Sequence, residues 1–457
     1  MRRILAIAAI TIRTAVRSRV ILCLLGILLA LIVGLPLTVK GDGTIEGQVQ
    51  IVIGYTLGIA SVLLSMSTLW AGCAAVATEI QEKQIQMLVS KPVSRAQIWI
   101  GKWIGLMAMN AVLLLVCVAA TYGLLRWTMQ PIRLSPADRE RLSRDVLVAK
   151  REVSPPPVNV EEDVRKEYEA MQKSGKVPAD SDPDQVIESL RRVARGRAGA
   201  VGPGQARSWR MDLPEAIDQS AEMTLRFTFA SSSLERNPLA GMWLAGPPGT
   251  IDAFRLPTTN VPSSYHEVKI PARALHGGTA LVLSYANIDN SGITVVFDAN
   301  DSLILKLPAG GFAENLLRAT LIVLAQLAFL TALGVTAGSM FSLPVAGFIS
   351  IFAILLVFSG GMIQDMSTAK TIIGNSRDNS AWEHAANAVL HVVYQGLNYV
   401  TQPLDFDSPW GDVATAKLVT WARVAKSILV NVVLYGGLIA AFGTYVFNRR
   451  EVALPQS

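Results

Sequence analysis

The chain has 457 residues, of which 51% are hydrophobic and only 17% charged, and its formal net charge is +6. A soluble protein of this length does not carry several uncharged apolar runs of about 20 residues, the length that crosses a bilayer as a helix. The basic excess lies beside those runs while 126–315 holds acids and bases in near balance, so the charge sets topology and leaves no footprint for nucleic acid.

The opening "MRRILAIAAITIRTAVRSR" (1–19) places Leu5, Ala9, Ile12 and Val16 on one helical face and Arg13 and Arg17 on another, with Ile7 and Ile10 off the apolar stripe. This predicts an amphipathic helix at the cytoplasmic membrane surface, the alternative being a cytoplasmic extension of the first span. The long basic stretch argues against a cleaved signal peptide. Six spanning helices are expected, at about 20–37, 51–77, 99–125, 319–341, 343–363 and 424–447. Arg2, Arg3, Arg13, Arg17 and Arg19 flank the start, Lys83, Lys91, Arg95 and Lys102 lie between spans two and three, and Arg449 and Arg450 lie in the tail 448–457. The loop after span one offers only Lys40 beside Asp42 and Glu46. Both termini are therefore expected in the cytoplasm, although Arg423 and Lys426 count against this orientation. Cys23, Cys73 and Cys117 all fall in apolar spans and read as small buried hydrophobes. The polar region has no cysteine, hence no disulfide framework and no cysteine-based zinc site.

The insert 126–313 is expected outside the membrane. Its first part, 134–198, reads as helical in "SPADRERLSRDVLVAKREV" and "DPDQVIESLRRVARGRA", divided by the breaker "SPPPV". After the joint "GRAGAVGPGQ" the character changes. Over 220–308, "EMTLRFTFA", "SSYHEVKI", "TALVLSYANI" and "ITVVFDANDSLILKL" alternate between Pro, Gly and Asn turns, predicting an antiparallel sheet or sandwich. A second external stretch, 364–423, includes the amphipathic "WEHAANAVLHVVYQGLNYV" with His384 and His391. A metal site needs more ligands than two, so these histidines read as satisfied or interfacial. The expected architecture is a polytopic α-helical membrane protein with a large extracytoplasmic α+β insert between spans three and four.

Away from their ends the spans contain almost no ionisable side chains; Asn110, Gln326, Asn431 and Tyr435 are the polar groups. Ion-coupled carriers and proton pumps need intramembrane carboxylates, His or Lys. Energy for work must come from elsewhere. "GAVGPGQA" (199–206) lacks the Lys and Ser/Thr of a P-loop, and "FSGGMIQ" (358–364), which mimics the ATPase signature loop of ABC proteins, ends an apolar span and reads as chance. No catalytic constellation stands out, so neither catalysis nor a cofactor or metal is expected of this chain alone. Gly54 and Gly58, Gly101 and Gly105, and Gly334 and Gly338 are each four apart, spacing that lets helices approach closely, within one chain or at a dimer seam.

Between spans two and three, "TEIQEKQIQMLV" (78–89) reads as a short charged helix that Pro92 stops. Ser94 and Gln97 form an S-x-x-Q capping box for the third span, and Trp99, Lys102 and Trp103 suit the membrane boundary. The result is a rigid cytoplasmic elbow, 78–98, fit to receive force from a soluble partner or simply to reverse the chain. "ATEIQEKQIQMLVSKPVSRAQIWIGKWIG" (77–105) resembles the corresponding loop of ABC-2 type transporter permeases, in which an acidic residue near the end of span two leads into a "kPvsR…lGK" segment. Glu79, Pro92, Ser94, Arg95, Gly101 and Lys102 carry the match, while Gln84 and Ile85 stand where many relatives have Gly-Thr. The resemblance is strongest to the branch with the nitrous-oxide-reductase copper-maturation and gliding-motility permeases.

That resemblance implies a permease subunit in the bacterial cytoplasmic (inner) membrane, dimeric with itself or a paralogue and carried by two separate ABC ATPase subunits, which bind the ATP and Mg. In this picture Glu79, Glu82, Lys91, Pro92, Ser94 and Arg95 couple to the ATPase, with Arg95 and Lys102 holding the elbow at the headgroups. An uncharged interior suits export of an amphiphilic or lipid-like substrate among membrane lipids. One alternative is mechanotransmission, in which 126–313 acts on an extracytoplasmic protein or glycan partner. The other is a membrane-anchored binding receptor without an ATPase.

Overall fold

The computed structural model describes residues 2–17, 19–38, 47, 50–82, 93–128, 147–175, 183–214, 217–219, 221–233, 235–249, 254–298, 302–369, 372–373, 381–404 and 408–449. The chain divides into a helical unit, Met1–Ala149 with Gly311–Ser457, and an inserted unit, Lys150–Gly310.

The helical unit opens with α1 (Arg2–Arg17) and α2 (Arg19–Thr38). A π-helical turn, Ile51–Tyr55, runs into α3 (Thr56–Gln81), and α4 (Arg95–Thr128) follows. The packed face of α1 is not the predicted stripe. Ile7, Ala8 and Thr11 are buried, whereas Leu5, Ala9 and Val16 stay exposed and Ile12 is half-buried. The cause lies on α4: a methyl group at Gly101 would come within 2.7 Å of Ile7 Cβ, and one at Gly105 within 2.8 Å of the Ala8 carbonyl oxygen. Two glycines one turn apart thus let α1 lie directly on α4. The exposed apolar stripe, bordered by exposed Arg13 and Arg17, keeps the amphipathic character read from the sequence.

The inserted unit begins with β1 (Val148–Val153), then α5 (Glu161–Lys173) and α6 (Pro183–Gly199). These two helices share a small core of Val160, Val164, Leu190 and Ala194. Ten further strands follow: β2 (Ala200–Val201), β3 (Ala206–Asp212), β4 (Glu222–Phe227), β5 (Ala230–Ser231), β6 (Leu239–Gly246), β7 (Phe254–Asn260), β8 (His266–Pro271), β9 (Ala280–Asn287), β10 (Val295–Val296) and β11 (Leu303–Gly311). They form sheets ordered β1-β11-β4-β8, β2-β10-β5 and β3-β9-β6-β7. β11 with β4, β4 with β8, β3 with β9, β6 with β9 and β6 with β7 are all antiparallel. One core draws on all three sheets, with Trp209, Phe227, Trp243, Tyr285 and Phe297 at its centre. Edge contacts such as Trp209–Phe297 and Trp243–Tyr285, each 5.1 Å between ring centroids, fill it.

Two expectations for this unit are corrected. β1 lies inside the stretch read as helical, because pairing beside β11 overrides a charge-rich local pattern. The run of strands after α6 also begins at Ala200 rather than 220, and β3 alternates buried Trp209 and Met211 with exposed Ser208, Arg210 and Asp212.

The helical unit resumes with α7 (Phe312–Met340), the most buried of the long helices, followed by α8 (Leu343–Phe358), α9 (Gly360–Thr368), α10 (Ala381–Thr401) and α11 (Pro409–Ala414). α12 (Trp421–Ser427), a π-helical stretch Ile428–Gly436 and α13 (Gly437–Arg449) form its last long helix. α7 packs on α3 through glycine: a Cβ at Gly334 would lie 2.8 Å from the Leu69 carbonyl oxygen, and one at Gly338 would collide with that of Cys73. α7 also starts earlier than expected, so Arg318 is buried in its second turn, donating to the Val419 carbonyl at 3.1 Å and to Glu314. Among the described residues, four helices are long and apolar enough to cross a membrane, five if α8 and α9, bent by 55°, count as one. α2 supplies a shorter apolar stretch, Cys23–Leu35.

Candidate functional site

The elbow between α3 and α4 is held at both ends by the helices it joins. Lys83, Lys91 and Pro92, with the rest of 83–92, lie outside the described residues. On the near side, α3 ends at Gln81 and Glu82 caps it, its N–H donating to the Thr78 carbonyl at 2.8 Å. On the far side the predicted capping box is present. Gln97 N–H donates to Ser94 Oγ and Ser94 N–H to Gln97 Oε1, both at 3.3 Å. Two amide donors that the first turn of α4 cannot satisfy internally are thereby paired.

Across this junction Lys102 on α4 reaches α3. Its Nζ lies 2.6 Å from Glu79 Oε1 and donates to the Ala75 carbonyl at 2.6 Å. Lys102 is only 3% exposed and Glu79 24%. A buried ammonium is costly unless paired and hydrogen-bonded, and here the last turn of α3 supplies both partners. Glu79 Oε2 is buried and accepts no hydrogen bond among the described residues. The end of α3 is thus tied to α4 by charge as well as by apolar contact among Val76, Trp99 and Leu106.

Two further links leave the junction. Trp99 Nε1 donates to Thr336 Oγ1 on α7 at 3.2 Å, and Thr336 Oγ1 lies 3.3 Å from the Ile439 carbonyl on α13, to which it donates. Arg95 donates to the Phe447 carbonyl and, at 3.1 Å, to that of Asn448, with its guanidinium 5.6 Å from the Phe447 ring centroid. A cation there meets the free carbonyls and negative dipole end of α13. Ile7, Ile98 and Phe447 close the cluster from α1, α4 and α13.

Several of the predicted residues make contacts inside the chain. Trp99 and Lys102 are buried, and half-buried Trp103 donates to the Ala328 carbonyl of α7 at 2.9 Å. Arg95 meets the end of α13, and Glu79 faces Lys102. Gly101, Gly105, Gly334 and Gly338 seat helices of this same chain. Gly54 would place a methyl 3.4 Å from Ala414 Cβ, and Gly58 faces open space. Thr336 was missed, although a hydroxyl in the middle of the apolar "GVTAG" was its signal. His384 is exposed and His391 half-buried, and no group of three or more metal-ligating side chains occurs among the described residues.

Residues 5–135 match the family model described as ABC-2 family transporter protein, a stretch that runs from α1 through α4 and contains the whole junction. No curated protein matches the chain. An ABC-2 permease implies an ABC ATPase partner and is a transmembrane subunit, not itself the ATPase. The match covers under a third of the chain and supports an ABC-2 type permease for that stretch, 5–135.

Proposed function

We propose that the chain is the membrane subunit of an exporter in the bacterial inner membrane, driven by two separate ATPase subunits that grip the elbow 78–98. Six spans, both termini in the cytoplasm and a second permease copy complete the assembly, with the sandwich-like unit Lys150–Gly310 outside. The observation that carries this reading is the anchoring of both elbow ends, by Lys102–Glu79 and by the Ser94–Gln97 box with Arg95, inside the segment that matches the family. A push on an elbow so held would tilt α3 against α4, turn α13 through Arg95 and reach α7 through Trp99 and Thr336. Glu82 and Lys91 are the charges assigned to the ATPase surface; Glu79 acts inside the chain as a positioning residue. The uncharged helices suit an amphiphilic or lipid-like cargo, in keeping with the resemblance to the copper-maturation and gliding-motility branch.

The test begins with the neighbouring reading frames and is co-expression of the chain with any P-loop ATPase encoded there. Wild type should capture the ATPase and raise ATP hydrolysis in vesicles, and Glu82→Arg with Lys91→Glu should lose capture while helix content stays unchanged. Undiminished capture and hydrolysis in that variant would remove the assignment. The independent core of Lys150–Gly310 favours a second reading, in which ATP-driven motion acts on an envelope partner and nothing crosses. Stimulation of hydrolysis by an external protein rather than by lipid would select it.

A further inference from the structure

The inserted unit contains a cavity of about 590 Å³ between one side of α6 and the strand ends of the sheets. Its floor is aromatic, formed by buried Phe229 and Phe297, with ring centroids 5.9 Å apart. Arg192 and Arg195, one turn apart on α6, line one wall, and Thr228, Ser263 and Asp298 border the rest.

The other basic residues of α6 are committed. Arg191 is held by Glu161 at 2.7 Å and by Glu188 at 2.5 Å, and Arg197 by Glu167 at 3.1 Å. Glu188, which also borders the cavity, shares Arg191 with Glu161. Arg195 influences Glu161 through charge alone, and Arg192 makes no ion pair among the described residues. Arg192 and Arg195 thus line the cavity with no ion pair among the described residues, and a guanidinium fork is the group suited to receive phosphate oxygens.

The wall is built to stay in place. Phe297 N–H donates to the Gly199 carbonyl at 3.0 Å, and any side chain at Gly199 would collide with the Phe297 carbonyl, so the end of α6 lies directly on the strand. Ser263 has φ 59°, a left-handed conformation uncommon for serine, held by its N–H donating to the Phe229 carbonyl at 2.7 Å. Gly196 borders the cavity with nothing within 4 Å of its Cβ position. Glycine in a helix interior costs about 1 kcal/mol relative to alanine, and here its effect is to keep the mouth open.

We propose that this cavity binds the phosphate ester of a polyol, the phosphate on Arg192 and Arg195 and the hydroxyls on Asp298, Thr228 and Ser263. The aromatic floor takes the carbon skeleton. The chemistry is shared by a glycerol-type phospholipid headgroup and by a free polyol phosphate. The inference does not rest on the ATPase assignment.

The test uses the full chain in neutral detergent, titrated calorimetrically with dihexanoyl-phosphatidylglycerol and with glycerol 3-phosphate, and with dihexanoyl-phosphatidylcholine as the zwitterionic control. Binding of the first two should weaken by roughly tenfold per guanidinium removed in Arg192→Ala and Arg195→Ala, since a charge-assisted hydrogen bond is worth about one decade or more. Gly196→Leu, which fills the mouth without touching the core, should abolish binding while leaving the unfolding midpoint unchanged or higher. It also serves if the arginine variants fail to fold. Binding of the lipid alone assigns the headgroup, and binding of glycerol 3-phosphate alone assigns the free ester. Binding of neither, equal binding of the choline lipid, or binding that survives Gly196→Leu would overturn the proposal.

Discussion

Lys102 shows how one side chain can fix a junction. Lys102→Met would leave Glu79 facing a dry interior with neither oxygen paired to a cation, and breaking a buried pair costs about 3 kcal/mol. The unfolding midpoint in detergent should fall, and adding Glu79→Gln should restore part of the loss because no uncompensated charge remains. If the double variant simply sums the two single losses, the pair is not coupled. Ser94→Ala should cost about 1 kcal/mol and Ser94→Thr much less, read from the same midpoint. The capping box was legible in the sequence because its partners are three residues apart. The ion pair was not, although Glu79 and Lys102 had each been singled out, because their meeting depends on how α3 returns onto α4.

Among the helices, glycine decides which faces touch. The four-residue spacings were visible, but spacing does not say which neighbour a glycine admits. Only the fold shows that Gly101 and Gly105 receive α1, and Gly334 and Gly338 receive α3. Gly338→Ala should destabilise by about 1–3 kcal/mol, as overpacking against a fixed backbone does, while Gly58→Ala should be neutral or slightly stabilising. Thermal unfolding of both variants in detergent checks this; equal midpoints would contradict the seating of α7 on α3. The same close approach explains why the stripe Leu5, Ala9, Val16 was found in the sequence yet is not the packed face. Periodicity marks an apolar face without naming its solvent, and α1 has two such faces. β3 was missed for a different reason: its charged outward residues hide the alternation that becomes plain in β9, where every second residue is buried, while β1 does not alternate at all, its neighbours Ala149 and Lys150 both being buried.

At the scale of the molecule the chain has two kinds of core, and they should respond differently to pH. Burial pushes the Tyr285 phenol up to about 12. The unfolded phenol ionises from about pH 10, so the stabilisation is complete below that pH and is lost as pH rises toward 12. At the acid end, the Ala240 and Ser291 amides and the Ser291 hydroxyl hold Asp289 below the usual carboxylate value; its contribution is complete above that value and is lost as pH falls through the lowered one. Near-ultraviolet circular dichroism of Trp209 and Trp243 should follow the inserted unit through both limits. Tyr285→Phe should flatten the alkaline limb and Asp289→Asn the acid one. An alkaline limb unchanged in Tyr285→Phe would place the sensitive group elsewhere.

The position of β1 and β11, hydrogen-bonded neighbours in one sheet, has a practical consequence. The polypeptide steps into Lys150–Gly310 along one strand and steps out along the strand beside it, about 4.8 Å away. Its first and last strands thus close the inserted unit on itself, so that it can be handled as a cassette. The trimmed chain and the excised cassette would then be separate reagents, one for capture of the motor and the other for capture of the phosphate ester.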